Sequence, residues 1–202
     1  MNFATCRVAS PIGDARARLG LPEDWKILLC FGAEHPGKNP AVAFELFTAL
    51  GESGEMPEWH LLVVGKIAER FPNWSTQHPG SVERIQLMPG YQSEEVRALV
   101  HAAADVQLLS FAEGWDLDSG VLGDAITWGL PVVCSSGNQT ASDVERLGMG
   151  VVFEAGDAPS LGAALRRLPG SVDPDALRAA REEWSGAASA ARHLSLLDSL
   201  GP

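Results

Sequence analysis

One stretch, Val106 to Ser136 (VQLLSFAEGWDLDSGVLGDAITWGLPVVCSS), limits the possible folds more than any other. It begins with a short apolar run, Val106 to Phe111, and ends with another, Pro131 to Cys134. Runs this short and this apolar suit strands buried on both faces. Between them stand a polar loop with Glu113, Asp116 and Asp118, then small residues able to form a helix. Strand, loop, helix and strand make one βαβ crossover, and crossovers give parallel sheets. In open parallel sheets ligands lie beyond the carboxyl ends of strands, where loops lead into helix N-termini. Ser119-Gly120-Val121 occupies such a junction. The helix dipole and free backbone N–H groups there suit a phosphate, and Asp118 just ahead is an expected helix cap.

The rest of the chain repeats the alternation. Lys26–Gly32 (KILLCFG), Trp59–Gly65 (WHLLVVG), Ile85–Met88 and Gly150–Phe153 predict four further strands. AVAFELFTALGE, after the loop AEHPGKNP, has helical spacing and a glycine stop. Ser93 is expected to cap SEEVRALVHAAA, whose first turn carries two acids, as the dipole favours. Asp14–Leu21 and Asp143–Leu147 read as short helical turns, and Pro159–Leu168 as an amphipathic helix. Lys66–Glu83 reads as an irregular connection. Residues 1–12 form a leading segment without pattern, and 174–202 a helical segment with a bend at Gly186. Its apolar stripe (Trp184, Leu194, Leu197) either covers the core or faces a partner domain. The predicted architecture is α/β: a single Rossmann-like, doubly wound parallel sheet of about six strands, with residues 1–202 as one domain.

With 202 residues, 46% of them hydrophobic and 20% charged, the chain can bury a sizeable core. A net charge of −11 argues against broad nucleic-acid binding, which needs lysine and arginine along the phosphates. It leaves room for a phosphorylated small molecule in one locally positive pocket. No apolar run approaches the roughly 20 residues of a membrane-spanning helix. The start, MNFATCRVASPIGDARARLG, has no charged segment followed by an apolar core, so no signal peptide is expected. Cys6, Cys30 and Cys134 are an odd set without metal spacing, so a metal site is not expected and a reducing cytoplasm fits best. The sequence also lacks a phosphate-binding Walker loop and a Gly-x-Ser-x-Gly elbow.

Five landmarks then fall in a recognisable order: RARLGLPEDWKILLCFG, Gly32 with Lys38 six residues on, IQLMPGYQSEEVRALVHAAADVQLLSFAEG, GLPVVCSS, and GVVFEAGDAPSLGAALRRL. Together, over residues 16–198, they resemble the C-terminal, donor-binding half of GT-B glycosyltransferases, the large retaining group 1 (family 4-like) enzymes. The resemblance implies one half of a two-domain fold. It also implies binding of a nucleoside-diphosphate sugar without a metal, and an acceptor held by an N-terminal domain or subunit.

Residue by residue, the resemblance implies that Lys38, in the loop after Gly32, neutralises the departing diphosphate. An ordinary solvated lysine is the plain alternative. The family's arginine after the glycine is Ala33 in this chain. Glu113 corresponds to the first of two family glutamates, near the transferred sugar, and Asp124 to the second, on the ribose. Ten residues separate them where the family has seven, and the three extra lengthen the loop around Trp115–Asp118. Asp124 could equally be a helix-surface acid. Ser119, Gly120 and Val121 would receive phosphate on the helix entrance, and Gly90 and Tyr91 would border the base. His35 is near Lys38 but reads as a solvated turn residue, and His60 and His101 as structural. Ala33 and the stretched spacing favour an alternative function: a non-catalytic Rossmann-like domain for nucleotide sensing or protein association.

Overall fold

The computed structural model describes residues 14–184 except 72, 74–76, 79–82 and 116–118. Six parallel strands form one sheet in the order β3-β2-β1-β4-β5-β6. They are β1 (Lys26–Phe31), β2 (Trp59–Val64), β3 (Ile85–Met88), β4 (Val106–Leu109), β5 (Val132–Ser135) and β6 (Gly150–Phe153). Every residue of β4 and β5 is buried, and β1 and β2 are nearly so. Helices on both faces bury strands in this way. The chain runs outward from β1 to β3, then returns past β1 to β4 and continues to β6. The direction of winding therefore reverses between β1 and β4. Open α/β sheets bind ligands beyond the strand ends near such a reversal.

The helices are α1 (Ala15–Leu19), α2 (Ala41–Ser53), α3 (Glu94–Ala103), α4 (Gly120–Trp128), α5 (Gln139–Arg146), α6 (Ala158–Ser171) and α7 (Pro174–Glu183). α2 packs against α6, while α1, α3, α4 and α7 form a contacting series. The core between the layers includes Phe44, Phe47, Trp59, Met149 and Phe153, all essentially inaccessible. Cys30 and Cys134 are free, buried thiols, and burial pushes the pKa of each up to about 12. They behave as small apolar side chains. Cys6, Leu194 and Leu197 lie outside the described residues, and Trp184 is exposed at the end of α7.

Several boundaries depart from the sequence reading. α2 does not stop at Gly51 but continues to Ser53, and Gly54, at φ 71°, ends it by donating to Leu50 O. Buried Phe44, Phe47 and Leu50 outweigh the roughly 1 kcal/mol that an interior glycine costs a helix. α5 is a full helix rather than a turn, because Asn138 accepts from Ala141 N at 2.9 Å and starts it early. α6 passes through Pro169 to Ser171. The loop Lys66–Arg70 is a 3-10 turn. The cap of α4 is Ser119, whose side chain accepts from Leu122 N, while Asp118 is outside the described residues.

Candidate functional site

The C-terminal ends of β1, β2 and β4 are tied into one rim by their loops. Gly32 N donates to Val64 O at 2.9 Å, and Gly65 N to Met88 O at 2.9 Å. The loop after β1 turns back to β4: Asn39 N donates to Ser110 O and Ala112 N to Gly37 O, and Lys38 bridges Phe111. Trp115 clamps this loop by stacking parallel to Phe111 at 5.1 Å and meeting the His35 ring edge-on at 4.7 Å. Its ring sits so close to Gly37 that any Cβ there would lie 2.1 Å from it. Ser135 Oγ fastens the end of β4 to β5, accepting from Phe111 N and donating to Phe111 O.

This scaffold aims Lys38 inward. Its ammonium donates to Ala33 O at 3.1 Å and lies 2.8 Å from where a Cβ on Gly32 would stand. Val121 Cγ2, at the start of α4, is 3.6 Å from the same point. The Lys38 ammonium and the α4 entrance thus share one end of the sheet, both close to Gly32. Gly32 has φ 131°, and a side chain at that position would displace the ammonium. Burial lowers the Lys38 pKa, against the opposing influence of Cys30 and Glu34. Among the described residues no carboxylate forms an ion pair with it, since Glu34 pairs with Arg70 at 3.3 Å. A half-buried ammonium without an ion-pair partner among the described residues is chemically able to receive an anion.

At the α4 entrance the amides of Leu122 and Gly123 return to Ser119 O. Helix geometry directs the preceding amides, Gly120 and Val121, out of the helix, and neither meets an acceptor among the described residues. Beside Lys38 a cleft of about 210 Å³ is lined by Gly32, Ala33, Gly65, Lys66, Gly90, Tyr91, Glu94 and Arg97, among others. Tyr91 is 85% exposed, with Lys66 Nζ 5.1 Å from its ring centre. The chain is acidic overall, yet three cations, Lys38, Lys66 and Arg97, gather around Gly32 and Ala33.

The structure therefore brings Gly32, Lys38, Gly90, Tyr91 and Val121 to one rim, with Ser119 and Gly120 at the same helix start. Asp124 lies one turn further along α4, turned toward α3, where Arg97 holds its Oδ1. Glu113 is exposed on the β5 side, with its Cγ 3.3 Å from a Cβ placed on Gly137, and it does not line the cleft. His35 is exposed and accepts from Gly37 N through Nδ1, and His60 stacks on Trp25. Arg97, Lys66 and Trp115 were not anticipated. Lys66 directly follows the glycine that ends β2, a position that could have marked it, whereas Arg97 and Trp115 depend on contacts between distant segments.

His101, fully buried on α3, is placed to make stability depend on pH. Its Nδ1 lies 2.7 Å from Arg97 O, which only accepts, so Nδ1 carries the proton. Nε2 has no hydrogen-bond partner and stands 3.8 Å from Asp124 Oδ2. Burial lowers the His101 pKa, outweighing the Arg97 carbonyl and Asp124, which raise it. The unfolded chain therefore binds this proton more readily. The stabilising contribution is complete above the ordinary histidine value of about 6.5 and is lost as pH falls below it. His101→Phe should flatten the fall in melting temperature between about pH 7 and pH 5, leaving only the part due to groups such as His60, also lowered by burial. An unchanged slope would remove His101 from the account.

Comparison with known proteins bears on the family and the fold. The profile of the family described as Glycosyl transferases group 1 matches residues 25–170. A D-inositol 3-phosphate glycosyltransferase from Nocardioides sp. (strain ATCC BAA-499 / JS614) is 29% identical over 181 residues, covering 81% of this chain and 38% of that protein. Sucrose-phosphate synthase from Thermosynechococcus elongatus superposes with a TM-score of 0.69 at 23% identity, over 99% of this chain and 51% of that one. Anabaena HepE, solved in complex with UDP and glucose, gives 0.70 at 18% identity, over 98% of this chain and 55% of that one. The chain thus spans between a third and about half of the length of these proteins, and its sheet has the Rossmann-like architecture of GT-B glycosyltransferases. This chain belongs to the group 1 glycosyltransferase family.

Proposed function

We propose that this chain is the donor-binding half of a retaining glycosyltransferase, receiving a nucleoside-diphosphate sugar at the C-terminal end of β1, between the cleft and the start of α4. One observation carries the reading: the Lys38 ammonium, without an ion-paired carboxylate among the described residues, lies beside Gly32 and close to the start of α4. A diphosphate at that point meets a half-buried positive charge and the amides of Gly120 and Val121. As the bond between the sugar and the diphosphate breaks, negative charge grows on the departing oxygen, and these groups stabilise it without a metal ion. Gly90 and Tyr91 take the base end, Glu113 faces the sugar from the β5 side, and Asp124 stands behind Arg97 rather than in the cleft. The acceptor is held by an N-terminal domain or subunit, so this chain alone binds donor and turns over poorly or not at all. Its free buried thiols suit the cytoplasm, and among the described residues no helix is long and apolar enough to cross a membrane.

A nucleotide-sensing or association module is the second reading, and Ala33 beside the lysine favours it. Calorimetry with UDP, GDP and ADP tests the primary reading. One of the three should bind, with affinity rising from nucleoside to diphosphate. Heat from none of them, or equal affinity for nucleoside and diphosphate, would contradict it.

A further inference from the structure

The α3 wall of the cleft presents a guanidinium to the ligand, with a carboxylate behind it. Arg97 lines the cleft together with Gly32, Ala33 and Glu94, and Asp124 does not. The Asp124 side chain is only 13% exposed, and its Oδ1 is held by Arg97 NH2. Its Oδ2 faces His101 Nε2, which bears a lone pair in the neutral ring and so offers no hydrogen. Asp124 therefore has one strong partner among the described residues, and that partner is Arg97.

The two partners of Arg97 differ in strength. Asp124 is a sheltered anchor. Glu94, at 3.2 Å from NH1, has a side chain 86% exposed, and such a surface pair contributes little. The NH1 edge can thus exchange Glu94 for a stronger anion while NH2 stays fixed. The planar fork of a guanidinium matches a phosphate, and the Gly32–Ala33 segment beside it is where Lys38 already places its charge.

Resting on the nucleotide reading above, we propose that Arg97 is a second diphosphate-binding cation of this site, anchored by Asp124, which acts as a positioning residue through Arg97. Glu94 occupies the exchangeable edge of the guanidinium when no ligand is bound. The arrangement supplies, from α3, a second positive charge beside an exposed alanine at position 33.

Calorimetry on the tightest-binding of UDP, GDP and ADP, with its nucleoside and its 2′-deoxy counterpart, tests this. Arg97→Met should weaken diphosphate binding about tenfold or more and leave nucleoside binding unchanged. Asp124→Asn should weaken it in the wild-type background, equally for the ribo and deoxy ligands, and add nothing once Arg97→Met is present. Glu94→Gln, by freeing the guanidinium, should leave affinity equal or raise it. Thermal melting checks that each variant is folded. If Arg97→Met is not, Arg97→Lys, which loses the fork, carries the test with a loss of about fivefold.

Diphosphate affinity within twofold of wild type for the Arg97 variant would overturn the inference. So would an Asp124→Asn effect that persists in the Arg97→Met background or disappears with the deoxy ligand, which would mark a direct ribose contact. In those cases Lys38→Ala still weakens diphosphate binding on the order of a hundredfold and the nucleotide reading stands. A wild-type protein that binds no nucleoside diphosphate overturns both.

Discussion

Gly65→Ala should destabilise the protein by about 3 kcal/mol or more and disable the site with it. Gly65 ends β2 at φ 102° and ψ −169°, a region essentially restricted to glycine. A Cβ there would also meet Gly32 O at 2.5 Å and Gly32 C at 3.2 Å. These are backbone atoms, and Gly32 O already accepts from Ile67 N at 3.1 Å, so the rim has no flexible side chain that could give way. Relief requires moving Gly32, which also moves the seat of the Lys38 ammonium. Gly54→Ala is the comparison, because Gly54 is at positive φ in the ordinary left-handed region, 71°, and has nothing within 4 Å of the added carbon. It should cost only about 1 kcal/mol in denaturant unfolding and leave ligand affinity intact. Equal losses for the two variants would show that backbone conformation alone, not the close approach of β1 and β2, governs this edge.

Lys38→Ala should reduce nucleoside-diphosphate affinity by about 3 kcal/mol, on the order of a hundredfold, and barely alter nucleoside affinity. The same substitution should leave the melting temperature unchanged or raise it. Burial lowers the Lys38 pKa, so the folded protein holds the charged ammonium less favourably than water does. Glu34 offsets only part of that cost, and no carboxylate among the described residues forms an ion pair with the ammonium. A residue kept at the expense of stability, and required only when an anion arrives, is the signature of a binding group. Loss of stability without loss of affinity would make Lys38 a structural residue and remove the cation from the site.

Much of the fold was legible because its strands are apolar on both faces and short, so KILLCF, WHLLVV and VVCS announce buried parallel strands directly. The glycines closing β1 and β2 and the SGV helix start were visible for the same local reason, and they converge on one end of the sheet. Helix ends were less legible, since Gly51 and Pro169 signal a stop that packing overrides. The partner of Asp124 could not be read at all. Arg97 and Asp124 are 27 residues apart on different helices, and only the docking of α3 on α4 joins them. Trp115 is a similar case. It falls in the loop that lengthens the spacing between Glu113 and Asp124, and its role is to pack on Phe111 and Gly37 and hold the Lys38 loop.

The most direct test of where the diphosphate rests is a titration of the isotope-labelled protein with UDP, GDP or ADP, followed at the backbone amide resonances of Ser119, Gly120 and Val121. These three should move together, saturate at the calorimetric affinity, and respond far less to the matching nucleoside or in Lys38→Ala. Binding that leaves them in place while resonances elsewhere shift would contradict the account, because the anion would then sit away from the entrance of α4.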